Sequence, residues 1–263
     1  MNVIGWPQKG RNNMAQPKFI WYDLMTSDAA AATTFYGAVI GWSGRDSGLT
    51  DRQYTVLSAG EAGVGGVMEW GEAGRQPGWI GYVGVDDVDA TAQRVADAGG
   101  AVHHPPEDIP GVGRFAVVAD PQGAAFMLFK GAGQAMPSAV ASTPGHVGWH
   151  ELHATDQAAA LPFYADLFGW TKSDVMDMGE MGVYQMFAAD GVTIGGMMTR
   201  TAADPVPYWL FYVNVNGIDA AVSRLQAHGG RLLNGPHQVP GGSWIIHALD
   251  PQGALFALVS NTR

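Results

Sequence analysis

Two strand-like segments carry side chains able to do chemistry. In Trp149-His150-Glu151-Leu152-His153 a carboxylate and an imidazole stand two residues apart, and Trp21-Tyr22-Asp23-Leu24-Met25 repeats the Trp and the carboxylate. Side chains alternate along a strand, so Trp149, Glu151 and His153 share one face, as do Trp21, Asp23 and Met25. A Glu beside a His can act as an acid/base pair, with Glu151 as base, or hold a proton donor of a ligand. The same residues are equally explained as hydrogen-bonded groups at a sheet interface. Tyr82 and Tyr212, with Asn214 one step beyond Tyr212, are candidates to orient a ligand's polar end. Trp21, Trp149, Met25 and Met127 would enclose its apolar or aromatic body, although ordinary packing accounts for the methionines.

Other signals are weaker. His103-His104 precede Pro105-Pro106, and adjacent strand histidines point to opposite faces, so the pair reads as solvated, as does His237. His150 alternates onto the opposite face from Glu151 and reads as a core histidine. His247 stands where the first half has Val117; it is structural or lines a cavity. Gly63, Gly65 and Gly66 lack the third glycine and following helix of a dinucleotide loop.

The elements that position these residues repeat. Asp28 faces Asp156, Phe35-Tyr36 faces Phe163-Tyr164 and Gly41-Trp42 faces Gly169-Trp170, each 128 apart. Gly65-Gly66 faces Gly195-Gly196, Asp89 faces Asp219 and Asp-Pro-Gln-Gly at 120 faces the same run at 250, each 130 apart. One two-residue insertion between Trp170 and Gly195 reconciles the offsets, and so regular a register marks a duplication. Residues 1–16 are read as a flexible segment, 17–130 and 146–263 as two domains, and the Gly/Ala/Pro/Ser stretch 131–145 as their linker.

Within the first half, 18–26 reads as a strand and Asp28 as an N-cap leading a helix through Phe35, Tyr36 and Val39. Strands at 52–58 and 63–69 follow, with Gly65-Gly66 as a turn or bulge. A strand at 79–85, a helix capped by Asp86 or Asp87 and ending near Ala98, and a hairpin around Asp120-Pro121-Gln122-Gly123 complete it. Each half therefore reads as βαβββ twice. Pro162 falls inside the third helix and predicts a kink or a late start.

Composition narrows the functions. With 263 residues and 47% apolar content the chain can bury a substantial core. No cysteine is present, which removes disulfides and thiolate metal sites. A formal charge of −10 disfavours nucleic acid and anionic membranes as partners. The chain lacks an apolar run of bilayer length and an export signal, so it is expected to be soluble and cytoplasmic.

Four βαβββ modules with a Thr-x-Asp cap, Phe-Tyr and Gly-Trp landmarks and a terminal Asp-Pro-x-Gly hairpin resemble the vicinal oxygen chelate superfamily of glyoxalases, bleomycin-resistance proteins and extradiol dioxygenases. Within it, the chain is similar to two-repeat glyoxalase-like proteins of mycobacteria. The resemblance covers residues 18 to 260. It implies an α+β fold of two tandem halves whose curved mixed sheets surround cavities, where relatives commonly hold a divalent metal by His and Glu. It places the first ligand seven residues before the helix-capping Asp, where Trp21 and Trp149 stand. The closing Glu belongs seven residues after the hairpin Asp, where Met127 and Ala257 stand, and a further His where Ile80 and Leu210 stand. None of these binds a hard or borderline cation.

The expected function is therefore binding of a small apolar or aromatic molecule without the family metal or another cofactor. Catalysis of lyase, isomerase or dioxygenase type remains as an alternative, through Glu151 and His153 or a displaced metal that also uses His247. An interaction protein with vestigial cavities is a third. The chain is expected to act as a monomer with an internal pseudo-dimer or as a homodimer.

Overall fold

The computed structural model describes residues 16–49, 53–70, 74–133, 142–202 and 204–263. The proposed N-terminal segment, Gln16 excepted, and the centre of the proposed linker lie outside the described residues. The first half contains β1 (Phe19–Thr26), α1 (Ala29–Ile40), β2 (Ser43–Asp46), β3 (Thr55–Ala59), β4 (Ala62–Glu69), β5 (Gly78–Gly84), α2 (Val88–Asp97), β6 (Ala101–Ile109), β7 (Gly113–Ala119) and β8 (Ala125–Gly131). The second half repeats it with β9 (Val147–Ala154), α3 (Gln157–Phe168), β10 (Thr171–Asp177), β11 (Val183–Ala189), β12 (Val192–Thr199), β13 (Tyr208–Asn214), α4 (Ile218–Ala227), β14 (Arg231–Gln238), β15 (Trp244–Leu249) and β16 (Leu255–Ser260).

Each half contributes one eight-stranded mixed sheet, ordered β2-β3-β4-β1-β5-β8-β7-β6 and β10-β11-β12-β9-β13-β16-β15-β14. The fold is the expected α+β arrangement of four βαβββ modules. The strand directly after each helix, β2, β6, β10 and β14, lies at a sheet edge. That position explains why β2 is wholly exposed and why β6 tolerates Pro105 and Pro106, since an edge strand needs only one set of ladder hydrogen bonds.

Local chemistry sets the boundaries. Asp28, Asp87 and Asp156 each accept a backbone N–H of the helix that follows, and Gly41 and Gly169 end α1 and α3 in the left-handed region. The helix containing Pro162 does not start late: Asp156 caps it and it runs unbroken past the proline. Gly65-Gly66 is not a turn. Both residues lie within β4, beside a bulge where the register to β3 shifts.

Packing divides the described chain into two compact units. One comprises the described residues within 16–20, 81–133 and 150–209; the other comprises those within 21–80, 142–149 and 210–263. Each unit takes one module from each half, so the compact bodies do not follow the sequence halves as the sheets do. In the second unit Leu24, Phe35, Tyr36 and Val39 share a core with Val213, Ile218, Leu225 and Phe256. Tyr36 donates to Asp250 Oδ2 at 3.1 Å and accepts from Trp79 Nε1 at 3.0 Å. The first unit repeats this lock: Tyr164 donates to Asp120 Oδ2 at 2.9 Å and accepts from Trp209 Nε1 at 3.2 Å. In both, the hairpin aspartate uses its other oxygen to accept two backbone N–H groups of its own turn.

Candidate functional site

The opening strands place their carboxylates as the alternation predicted. In the second unit Trp21 Nε1 donates to Asp23 Oδ1 at 3.0 Å and to the Tyr54 hydroxyl at 2.8 Å, while Tyr54 donates to the same Oδ1 at 2.7 Å. Asp23 is 2% exposed. Burial first, and the charge of Asp23 second, push the Tyr54 hydroxyl well above its ordinary pKa, so it stays a donor. Gly66 lies opposite Asp23 on β4, and a Cβ there would meet the Tyr54 hydroxyl at 2.0 Å. The absence of a side chain at this position is what gives the tyrosine its berth.

The first unit repeats the arrangement and adds an imidazole. His153 Nε2 lies 2.8 Å from Glu151 Oε1, and Tyr184 donates to Glu151 Oε2 at 2.8 Å. Gly196 lies opposite Glu151, and a Cβ there would meet the Tyr184 ring at 2.1 Å. Tyr208 stacks flat on His153, with ring centroids 4.5 Å apart and planes 8° apart. The side chains of both Glu151 and His153 are 9% exposed. His153 Nδ1 is buried with no hydrogen-bond partner among the described residues.

A second pair stands in the second unit, on β13 and β15. Tyr212 and His247 both lie beside Ala257 on β16, one across a parallel and the other across an antiparallel ladder. Because alanine is short, the two side chains meet, with the Tyr212 hydroxyl 2.8 Å from His247 Nε2. At the matching place in the first unit Met127 stands between Tyr82 and Val117, so no such pair forms. Asn214 uses its amide to donate to the His146 carbonyl at 2.8 Å, pinning the entry to β9.

Trp149 precedes Glu151 on the same strand face. His150 faces the other way: it is buried, lies 2.7 Å through Nδ1 from the Ile194 carbonyl and stacks on Phe19. Burial lowers its pKa to about 4. His104 is half-exposed beside Glu107, and His237 bonds Asn234 at the surface.

Tyr54, Tyr184 and Tyr208 were missed by sequence reasoning, although Tyr54 and Tyr184 are 130 apart, in the same register as Gly66 and Gly196. The duplication therefore contained a signal that could have found two of the three.

The superfamily's metal does not fit the positions that would hold it. Trp21, Trp149, Met127, Ala257, Ile80 and Leu210 offer no oxygen or imidazole donor, and Asp23 and Glu151 are already bonded within their strand clusters. Among the described residues no group of three or more His, Cys, Asp or Glu side chains is placed to hold an ion.

Comparison with known proteins places this geometry in a family. The model of the Glyoxalase/Bleomycin resistance protein/Dioxygenase superfamily matches residues 18–128 and 143–258. CFP32 of Mycobacterium tuberculosis, described provisionally as a glyoxylase, is 30% identical over 258 residues, covering 96% of this chain and 97% of its own. The anthracycline biosynthesis protein DnrV of Streptomyces peucetius is 34% identical over 258 residues, covering 91% of each chain. Among solved structures, the Mn(II)-bound glyoxalase of Novosphingobium aromaticivorans superposes with a TM-score of 0.68 at 18% identity, over 95% of this chain and 83% of that one. The 2,3-dioxygenase LapB of Pseudomonas sp. KL28 gives 0.67 at 12%, over 95% and 94%. At those identities the structures show the fold alone, but the family match spans both halves: the chain belongs to the glyoxalase/bleomycin resistance/dioxygenase superfamily.

Proposed function

We propose that this protein binds a small apolar or aromatic molecule without the divalent metal of its superfamily. The observation that carries the reading is the replacement on both opening strands: a tryptophan occupies the ligand position, and the neighbouring carboxylate is tied to a tyrosine. Indole faces stack on flat ligands, and a buried tyrosine or histidine fixes a polar edge. DnrV supports an aromatic ligand, because an anthracycline is a fused-ring aromatic.

The test combines metal analysis with tryptophan fluorescence. Protein stripped with a chelator should quench on titration with anthracyclines as strongly as untreated protein does, and should carry no stoichiometric metal when purified. Stoichiometric zinc, iron, nickel or manganese that disappears in Glu151→Ala would overturn the reading. A second reading, proton transfer by an enzyme of this superfamily, is favoured by the 2.8 Å contact between Glu151 and His153.

A further inference from the structure

We propose that His153 Nδ1 is the proton acceptor of the second half, taking the proton of a phenolic hydroxyl on the bound aromatic molecule, with Glu151 positioning the ring rather than acting as the base. The proposal rests on the binding reading above and names the chemical class of the ligand's polar edge.

The argument is one of donors and acceptors. A carboxylate can only accept, so Glu151 Oε1 at 2.8 Å requires the hydrogen of a neutral His153 to be on Nε2. Glu151 is itself held, because Oε2 accepts from Tyr184. Tyr208 fixes the ring plane by stacking. Those contacts leave Nδ1 with a lone pair, buried, and with no partner among the described residues. Such a nitrogen is costly to bury unless a donor comes to it.

The other ionisable groups around the ring suit this role. Burial, Asp204 and Glu151 all raise the Tyr208 hydroxyl above its ordinary pKa, so Tyr208 stays neutral and does not compete as a base. Tyr184, a further titratable neighbour in the cluster, donates to Glu151.

The transfer balances. The ligand's O–H bond breaks, its electron pair stays on oxygen, the proton bonds to Nδ1, and the imidazolium so formed is compensated by the carboxylate already bonded to Nε2. No redox partner is needed. The first half has no counterpart, because Met25 stands at the matching position and Asp23 is shared between Trp21 and Tyr54.

Umbelliferone, an aromatic with one phenol and a distinct phenolate absorption band, is a suitable probe. Bound to the full chain, its phenol should ionise with an acid constant raised about tenfold or more. In His153→Met that shift should vanish, read at umbelliferone concentrations raised until tryptophan quenching saturates. Glu151→Gln, which keeps an acceptor for Nε2 but removes the compensating charge, should give a smaller shift at the same saturation.

Nitrogen-15 NMR of the histidines provides a ligand-independent check, with the neutral ring of His153 expected to be protonated on Nε2. A neutral ring protonated on Nδ1, or an equal phenol shift in His153→Met, overturns the proposal and leaves the binding reading standing. Absence of quenching by both umbelliferone and the anthracyclines overturns the binding reading and this proposal together.

Discussion

His150 and His153 are three residues apart on one strand, yet alternation sends them into opposite environments, and the difference can be measured. His150 is buried neutral with a pKa near 4 against an ordinary 6.5. Its folded value is depressed, so its share of stability is complete above pH 6.5 and is lost as pH falls toward 4, where the unfolded chain takes up a proton that the native ring refuses. The shift corresponds to about 3 kcal/mol in all, of which about 2 kcal/mol should be lost between pH 7 and pH 5. Urea unfolding at those two pH values should show the loss in the native sequence and its near absence in His150→Met. An equal pH dependence in both proteins would sink the assignment. The alternation that separates the two rings was legible in the sequence, as were the paired carboxylates. What was not legible is which partners the carboxylates choose, because Tyr54, just ahead of β3, and Tyr184, on β11, reach them from distant segments, and single-strand alternation does not report such neighbours.

At the scale of elements, the strands with alternating apolar residues, the Asp-capped helices and the Asp-Pro-Gln-Gly hairpins could be read directly. The edge strands β2 and β6 could not, since β2 is four exposed residues and β6 contains two prolines. Exposure removes the apolar alternation by which a strand is recognised. For Gly65-Gly66 the sequence left a turn and a bulge both open, because a glycine needed for close approach looks the same in sequence as one needed for a positive φ. Gly196→Ala should therefore destabilise the protein by about 1–3 kcal/mol, the typical cost of forcing extra volume into a packed site. Gly78→Ala, where a Cβ would meet nothing within 4 Å, should be close to neutral. The obstruction at Gly196 is the Tyr184 ring as well as its hydroxyl. Tyr184→Phe should then fail to rescue Gly196→Ala while Tyr184→Ser rescues part of the loss, a coupling that urea midpoints of the double mutants can read. Equal rescue by Phe and Ser would place the conflict at the hydroxyl alone.

At the scale of the whole chain, the two sequence halves are coupled through the cores that they share. Strand pairing keeps each half in its own sheet, but each compact unit draws one module from each half. A chain cut within 131–145 would separate Tyr36 from Asp250 and Tyr164 from Asp120. It would also split the core in which Phe35, Tyr36 and Val39 meet Leu225 and Phe256. Re-exposing a large buried apolar side chain costs roughly 1.5–3 kcal/mol, so Phe35, Val39, Leu225 and Phe256 together amount to roughly 6–12 kcal/mol. That is comparable with the whole stability of an ordinary domain, about 5–15 kcal/mol. Residues 17–130 and 146–263 produced separately should therefore aggregate or self-associate, each using a second copy of itself to cover the exposed helix and hairpin. Mixed during refolding, they should form a one-to-one complex with the unfolding midpoint of the intact chain approached at high concentration. Light scattering and urea unfolding would decide the matter, and two monomeric halves that each unfold cooperatively near the intact midpoint would show that the shared cores are dispensable.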